Sequence, residues 1–381
     1  MKFKFVKIDL ETKQTYNCHA ATPHRIDFDW LKANPGQLFN TDVNVLERRQ
    51  MLQNERNISC EQNCWPAEDN GITSSRILQQ GQERTHINPI TQPEFIDLTV
   101  GSDCNLSCTY CSKVFSSTWR NDILTNGNYN ITPDDSRYTA SKFDQVISRL
   151  SQSEKYNSNQ YNILLNEFKE MSRNVNELHI TGGEPFLNKF LLDIIESNEN
   201  TPTIKLFTGL GVDYKRFARI LDRLADYKNV KLAVSAENVG SFHEFNRYGT
   251  KWDDVERKIE LILKKNINLI FHSALSNLTL FGFVDFYNRF NQYNIEVDVV
   301  NTPVFLKVNN MDDYSKFMLT EQLSNSSIPE KDEFIDSLAS EVDVDHRRQL
   351  NKFMNEFTKR RPDLSLGIFP KTFLDWMAVD G

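Results

Sequence analysis

The feature that most constrains this chain is a rhythm. Between residues 95 and 304 a short apolar run, a polar or Gly-bearing turn and a helix-period stretch recur. The apolar runs are FIDLTV (95–100), ELHIT (177–181), TIKLFT (203–208), VKLAVS (230–235), NLIFHSAL (268–275) and IEVDVV (295–300). They are short, rich in β-branched residues and apolar on both faces, as strands buried in a parallel sheet are. Helix-period segments separate them. DYKRFARILDRLADY aligns Phe217, Ile220, Leu221 and Leu224, and KWDDVERKIELILKKN aligns Val255, Ile259, Ile262 and Leu263. NKFLLDIIESN and LFGFVDFYNRFNQY fill two further positions. Alternating units of this kind imply right-handed crossovers. Six units are too few for an eight-stranded barrel, so the predicted fold is α/β, a partial (β/α)6 TIM-like barrel over residues 91–304.

The flanks do not keep the rhythm. In residues 1–90, KFKFVKIDLETKQTYNC reads as two strands and a turn, and TDVNVLERRQMLQNER as a helix capped by Thr41 or Asp42. A small N-terminal α+β module is expected there. After residue 304, helices are predicted near 314–323, 332–340 and 346–359, forming a C-terminal helical extension over 305–381. Its apolar end, LGIFPKTFLDWMAV, is expected to dock on the body. The first crossover, 112–176, is long. It carries the polar stretch RNDILTNGNYNITPDDSRYT, then helices near 141–150 and 160–173. Such an insertion reads as a lid or substrate loop, or as a surface elaboration.

A net charge of -8 argues against a dedicated nucleic-acid binder. The basic clusters Arg257–Lys258, Lys264–Lys265 and Lys359–Arg361 read as solvated helix faces. No apolar run approaches the ~18–20 residues of a membrane span. The N-terminal stretch alternates and has no signal-peptide apolar region. A cytoplasmic location is therefore expected. There the six cysteines are thiols or metal ligands sooner than disulfides.

Three of them, Cys104, Cys108 and Cys111, lie in DCNLSCTYCSKVF directly after the first strand of the rhythm. That end of a parallel strand is where α/β folds build sites. A zinc site needs a fourth ligand. No fourth cysteine is near, His86 precedes the strand, and His179 or His243 would be remote ligands. Three thiolates suit a four-iron cluster whose fourth iron stays open to an amine and carboxylate chelate. Three buried thiols are the plain alternative. A non-enzymatic, Cys-rich zinc-binding interaction protein is the alternative of another class.

CNLSCTYC resembles the C-x3-C-x2-C signature of radical S-adenosylmethionine (radical SAM) enzymes, and TGGEPFL (181–187) resembles that family's Gly-Gly-Glu-Pro motif. The two occur in the family's order, each just past a strand, and the resemblance spans about residues 90–304. It implies a [4Fe-4S] cluster on Cys104, Cys108 and Cys111 with S-adenosylmethionine on the open iron. It also implies reductive cleavage to a 5′-deoxyadenosyl radical, hydrogen abstraction from a substrate, and a flavodoxin- or ferredoxin-type electron donor. The cofactor-binding residues so implied are Tyr110, Gly182, Gly183, Glu184, Pro185, Ser235, Glu237 and Arg247. Their chemistry agrees: glycines admit close backbone approach, Glu184 can accept from an amine, and Arg247 can pair a carboxylate bidentately. Taken alone, GGEP is also a plain turn and Arg247 an ordinary salt-bridge residue. Asn277 is a further candidate for adenine contact. Relatives often carry Thr-Asn-Gly after the third strand; here Thr208–Gly211 reads TGLG, without that Asn.

Cys18, Cys60 and Cys64, with the helix between them, resemble a Twitch/SPASM-like auxiliary module, here preceding the barrel. That resemblance implies a second, auxiliary iron–sulfur cluster whose fourth ligand is His19, an acidic residue such as Glu68, water or substrate. A small zinc site or free thiols are the alternatives. Auxiliary-cluster relatives make a peptide or protein the first expectation for substrate and a small molecule, nucleotide or sugar the second.

Overall fold

The computed structural model describes residues 2–18, 21–53, 55–61, 63–74, 76–77, 88–131, 137–147 and 158–379. The strands, in chain order, are β1 (Phe5–Asp9), β2 (Gln14–Tyr16), β3 (His24–Arg25), β4 (Phe95–Thr99), β5 (Ser107–Cys108), β6 (Glu177–Thr181), β7 (Thr203–Thr208), β8 (Val230–Ser235), β9 (Arg247–Tyr248), β10 (Asn268–Leu275) and β11 (Asn294–Val299). All six predicted strands of the rhythm form, each within a residue of its predicted limits. The fold is mixed α/β with a parallel sheet, and it divides into two compact units.

The first unit comprises Met1–Gly101, Leu150–Phe207 and Arg223–Lys231. Its strands run in the order β7–β6–β4–β1–β2–β3. β1, β4, β6 and β7 are parallel, with Phe5 opposite Phe95 and Phe95 opposite Glu177. Val6, Ile8, Ile96, Leu98, Ile180 and Leu206 are fully buried between its faces. The hairpin read at the N-terminus is present as β1 and β2. Sequence pattern did not indicate that β1 also extends the parallel row, because parallel pairing is non-local and leaves no turn signature. Thr41 caps the helix Asp42–Leu52, its side chain accepting from the Asn44 amide. The helix Ser158–Met171 holds the segment 36–38, ahead of the Thr41 cap, through Glu167, which accepts from the Gly36 and Leu38 amides at 2.7 and 2.8 Å.

The second unit comprises Ser102–Arg149, Thr208–Asp222 and Leu232–Gly381. Its strand order is β11–β10–β8, and β10 pairs β11 in parallel with Phe271 opposite Ile295. Helices Trp252–Lys264 and Phe283–Phe290 follow β9 and β10. Phe271 packs on Phe290 and Phe286, ring centres 4.7 and 5.2 Å away. The predicted tail helices form at Asp313–Ser324, Lys331–Leu338 and Val344–Lys359, and Lys371–Ala378 adds a fourth. The apolar end docks as expected, with Phe369 against Phe245 and Phe373 against Phe281.

Two readings need correction. Part of the polar stretch after the cysteines is a helix, Ser117–Asn126, capped by Ser116 and burying Trp119 and Ile123. Trp119 stacks with Tyr129, Phe353 and Phe357, so a strong apolar anchor outweighs the polar composition. Residues 132–136 of that stretch, and 148–150 of the predicted helix after it, lie outside the described residues. Lys258 and Arg361, read as solvated, are buried. Lys258 donates to the Leu210 and Val212 carbonyls at 2.8 and 2.5 Å. Arg361 lies 3.9 Å from the Phe357 ring centre and pairs Asp122 at 3.1 Å. Both place a long apolar stem in the core and set the cation on carbonyls or a carboxylate.

In the first unit Glu47 is the buried polar hub. It accepts from Lys2 at 2.8 Å, contacts His24 at 2.8 Å and accepts from Asn17. Burial opposes its charge, but His24, Lys2 and Asn17 outweigh that and hold its pKa at about 2, against an ordinary 4.5. A depressed folded pKa gives stability that is present above 4.5 and lost as the pH falls toward 2. Glu47→Gln is therefore expected to cost roughly 2–3 kcal/mol at neutral pH. The gap from wild type should close on acidification, as read by urea unfolding across pH; a pH-independent gap would contradict it.

Candidate functional site

The loop that carries Cys104, Cys108 and Cys111 belongs to the second unit. Cys104 and Cys108 are buried, Cys111 is half-buried, and none of the six cysteines is in a disulfide. The loop's backbone is held by the start of the helix that follows. The Cys104 amide donates to Ser117 Oγ at 3.0 Å, and Thr118 Oγ1 donates to the Cys104 carbonyl at 2.5 Å. Ser116 Oγ donates to the Leu106 carbonyl at 2.7 Å, and Trp119 Nε1 to the Cys108 carbonyl at 2.9 Å. On its other side the loop forms β5, antiparallel to β9, with Cys108 opposite Arg247. Thr109 adds bonds to the Asn246 carbonyl and side chain at 2.9 and 3.1 Å. Gly249 permits the close approach: at φ +109°, a Cβ there would lie 2.6 Å from the Asn105 carbonyl oxygen.

Beside the loop sits a buried polar constellation. Arg247 Nη2 and Nε donate to Glu237 Oε2 at 2.9 and 3.2 Å, and the Tyr110 hydroxyl donates to Glu237 Oε1 at 3.2 Å. Arg247 Nη1 lies 3.9 Å from Cys108 Sγ. Burial works against the arginine's charge, but Glu237, Tyr110 and Cys108 outweigh it and hold the guanidinium more firmly protonated than usual. Burial raises the Tyr110 phenol well above its ordinary value. It also pushes the Cys111 thiol up to about 12, with Cys108 adding to the effect.

The donors at the loop are all sulfur, which fits iron–sulfur ligation. Among the described residues, no three His, Cys, Asp or Glu side chains group to hold a metal ion. Of the two remote histidines, His179 Nε2 contacts Glu177 at 2.7 Å, and His243 is buried edge-on to Trp252 at 4.9 Å.

In the first unit, the GGEP segment folds back on the end of β4. Gly182 has φ +132°, and a Cβ there would lie 2.5 Å from the Gly101 carbonyl oxygen, so only glycine fits. Gly183 donates to that carbonyl at 2.8 Å. Glu184 is buried and accepts from the Phe186 amide at 3.2 Å, capping a short 3-10 turn that begins at Pro185. In the second unit, Ser235 ends β8 and is half-buried. Asn277 is buried, and its amide donates to the Phe305 and Asn310 carbonyls, both at 3.0 Å. The Gly211 carbonyl of TGLG accepts from Asn105 at 2.8 Å.

The first unit also gathers the remaining cysteines. Cys60 and Cys64 are buried with Trp65, and Cys18 is half-buried. Burial raises the Cys60 thiol; Lys2 tempers this, and Cys64 and Cys18 add to it, so the three share one neighbourhood. Trp65 Nε1 donates to the Asn57 carbonyl at 2.9 Å, and Arg76 covers the indole at 4.2 Å. Glu68 is committed to Arg76 at 2.9 Å and to Ser74 at 2.5 Å. His19 lies outside the described residues. Sequence reasoning missed Ser116 to Trp119 and the β5–β9 pair. A Ser-Ser-Thr run before a tryptophan was the available signal.

The family model described as Radical SAM superfamily matches residues 98–290. The chain is 23% identical over 210 residues to a GTP 3′,8-cyclase of Vibrio parahaemolyticus, covering 50% of this chain and 51% of that protein. It is 26% identical over 249 residues to the radical SAM cyclopropyl synthase TigE of Paramaledivibacter caminithermalis, covering 61% of this chain and 47% of that protein. The chain thus spans about half the length of the curated relatives it matches. Among solved structures, Streptococcus suis SuiB bound to S-adenosylmethionine aligns at 12% identity and TM-score 0.40, over 95% of this chain and 70% of that one.

The geometry at Gly182 makes a specific expectation. Gly182→Ala should destabilise the protein by about 1–3 kcal/mol, the usual cost of forcing a side chain into this backbone region. Thermal or urea unfolding checks it; unchanged stability would show that the turn can relax.

Proposed function

Because the chain belongs to the radical SAM superfamily of enzymes, we propose that Cys104, Cys108 and Cys111 hold a [4Fe-4S] cluster whose open iron takes S-adenosylmethionine. When bound, the pair supplies reductive cleavage of the sulfonium and hydrogen abstraction from substrate. The observation that carries this reading is the all-sulfur donor set on one loop, its backbone tied down on both sides. The chain's own part is to position and to exclude water. Ser116 to Trp119 and β9 hold the loop. The reading assigns cofactor contacts to Gly182, Gly183, Glu184 and Pro185 in the first unit, and to Tyr110, Ser235, Glu237 and Arg247 in the second. Gly182 and Gly183 present bare backbone, and Glu184 offers a carboxylate to an amine.

The parallel strands belong, in this reading, to a partial (β/α)6 barrel over 91–304, followed by a C-terminal extension over 305–381. Residues 1–90 carry a second cluster on Cys18, Cys60 and Cys64. The shared neighbourhood of the three thiols supports that assignment, and the commitment of Glu68 to Arg76 leaves the fourth position to another ligand. The substrate is a peptide or protein, with a small molecule as the second choice. A flavodoxin- or ferredoxin-type protein delivers the electron in the cytoplasm. Among the described residues, no helix is long and apolar enough to cross a membrane.

Iron and sulfide analysis of anaerobic protein tests both assignments. Cys104→Ala/Cys108→Ala/Cys111→Ala should lose half the iron and all release of 5′-deoxyadenosine from S-adenosylmethionine under dithionite. Loss of all iron would remove the second cluster, and loss of none would overturn the reading.

A further inference from the structure

We propose that Arg247 is a positioning residue for the cluster: its guanidinium donates to Cys108 Sγ and sets the reduction potential of the centre. The inference rests on the reading that Cys108 is a cluster ligand, and it goes beyond that reading by giving Arg247 a role toward sulfur. The resemblance implied a different one, toward the carboxylate of S-adenosylmethionine.

The backbone fixes the meeting. Cys108 and Arg247 are directly opposed in the β5–β9 pair, and Thr250 secures the turn after it through its amide and hydroxyl on the Arg247 carbonyl, at 3.2 and 2.9 Å. The side chain is then oriented by Glu237, which takes Nε and Nη2. That leaves Nη1 as the nitrogen that faces Cys108 Sγ, at 3.9 Å. The Tyr110 ring closes the side, 5.4 Å from the guanidinium carbon, and its hydroxyl holds Glu237 in turn. Thr250, Glu237 and Tyr110 thus fix the direction of Arg247 toward Cys108.

This arrangement is costly unless it serves the site. Arg247 and Glu237 are 4% and 1% exposed, and a buried ion pair repays its desolvation poorly compared with apolar side chains. Only a planar fork can pair Glu237 with two nitrogens and still present a third to sulfur; a lysine ammonium has no such geometry. The pair is close to neutral overall, so its influence on the sulfur comes through the directed N–H. Hydrogen bonds to ligand sulfurs stabilise the more negative, reduced cluster and raise its potential. Glu237 takes the Nε–Nη2 edge of the guanidinium, and Nη1 is the nitrogen at the sulfur.

The test is a redox titration of the anaerobic, iron-loaded enzyme without S-adenosylmethionine, followed by electron paramagnetic resonance. The signal tracked is the one absent from the triple cysteine variant. If that variant loses no iron, the underlying reading fails, independently of Arg247. Arg247→Met/Glu237→Gln removes the N–H donor while keeping the site neutral. Its potential should fall by about the equivalent of a tenfold change in the oxidised-to-reduced ratio, ~59 mV for a one-electron couple, with an altered signal shape. Arg247→Lys should fall between it and wild type. An unchanged potential and signal at full iron content would overturn the inference, as would a loss confined to S-adenosylmethionine affinity. If neither variant retains iron, Arg247 serves only to fold the loop, and the inference is likewise overturned.

Discussion

A loop that bends three cysteines inward exposes its own backbone, and every buried carbonyl there needs a donor. In this protein the donors are the hydroxyls and indole at the start of the Ser117–Asn126 helix, which take the carbonyls of Cys104, Leu106 and Cys108. Side chains from elsewhere in the second unit keep that helix in place. Trp119 is fully buried among Tyr129, Tyr138, Phe353 and Phe357. Arg360 and Arg361, at the end of the tail helix, reach Asp122 on the same short helix. The C-terminal helix Val344–Lys359 thus serves the cysteine loop through two intermediates, an aromatic stack and the pair of arginines that follows it.

Charge is handled the same way throughout. Glu47 in the first unit and the Glu237–Arg247 pair in the second are buried, and each is satisfied from several directions. Lys258 and Arg361 follow the pattern, with their cations on carbonyls or a carboxylate. Buried charge of this kind contributes more to geometry than to net stability, since losing one partner is costly while an apolar replacement of both need not be. Polar networks at the two groups of cysteines therefore define where the thiols stand. The hydrophobic sheet provides the cohesion.

Legibility followed the range of the interaction. The six strands and the helices between them were readable because burial on both faces writes itself into consecutive residues. The Thr41 cap was readable for the same local reason. The cysteine triplet and the GGEP turn were readable as motifs, and the structure accounts for Gly182 by a backbone contact that no side chain tolerates. Lys258 misled because its charge is local and its burial is not; the apolar neighbours Val255, Ile259 and Ile262 on the same helix face were the better guide.

From the amino-acid order alone came the α/β rhythm, the position of the cysteines at a strand end and the kind of ligand that sulfur prefers. Each depends on neighbours within a turn or a strand. Tertiary structure alone decided that β1 joins the parallel row, that a tryptophan eleven residues on holds the Cys108 carbonyl, and that Arg247 faces a sulfur across a two-residue ladder. Those choices depend on which distant backbone arrives beside which. That is set by the packing of the whole unit and leaves no periodic trace in the chain.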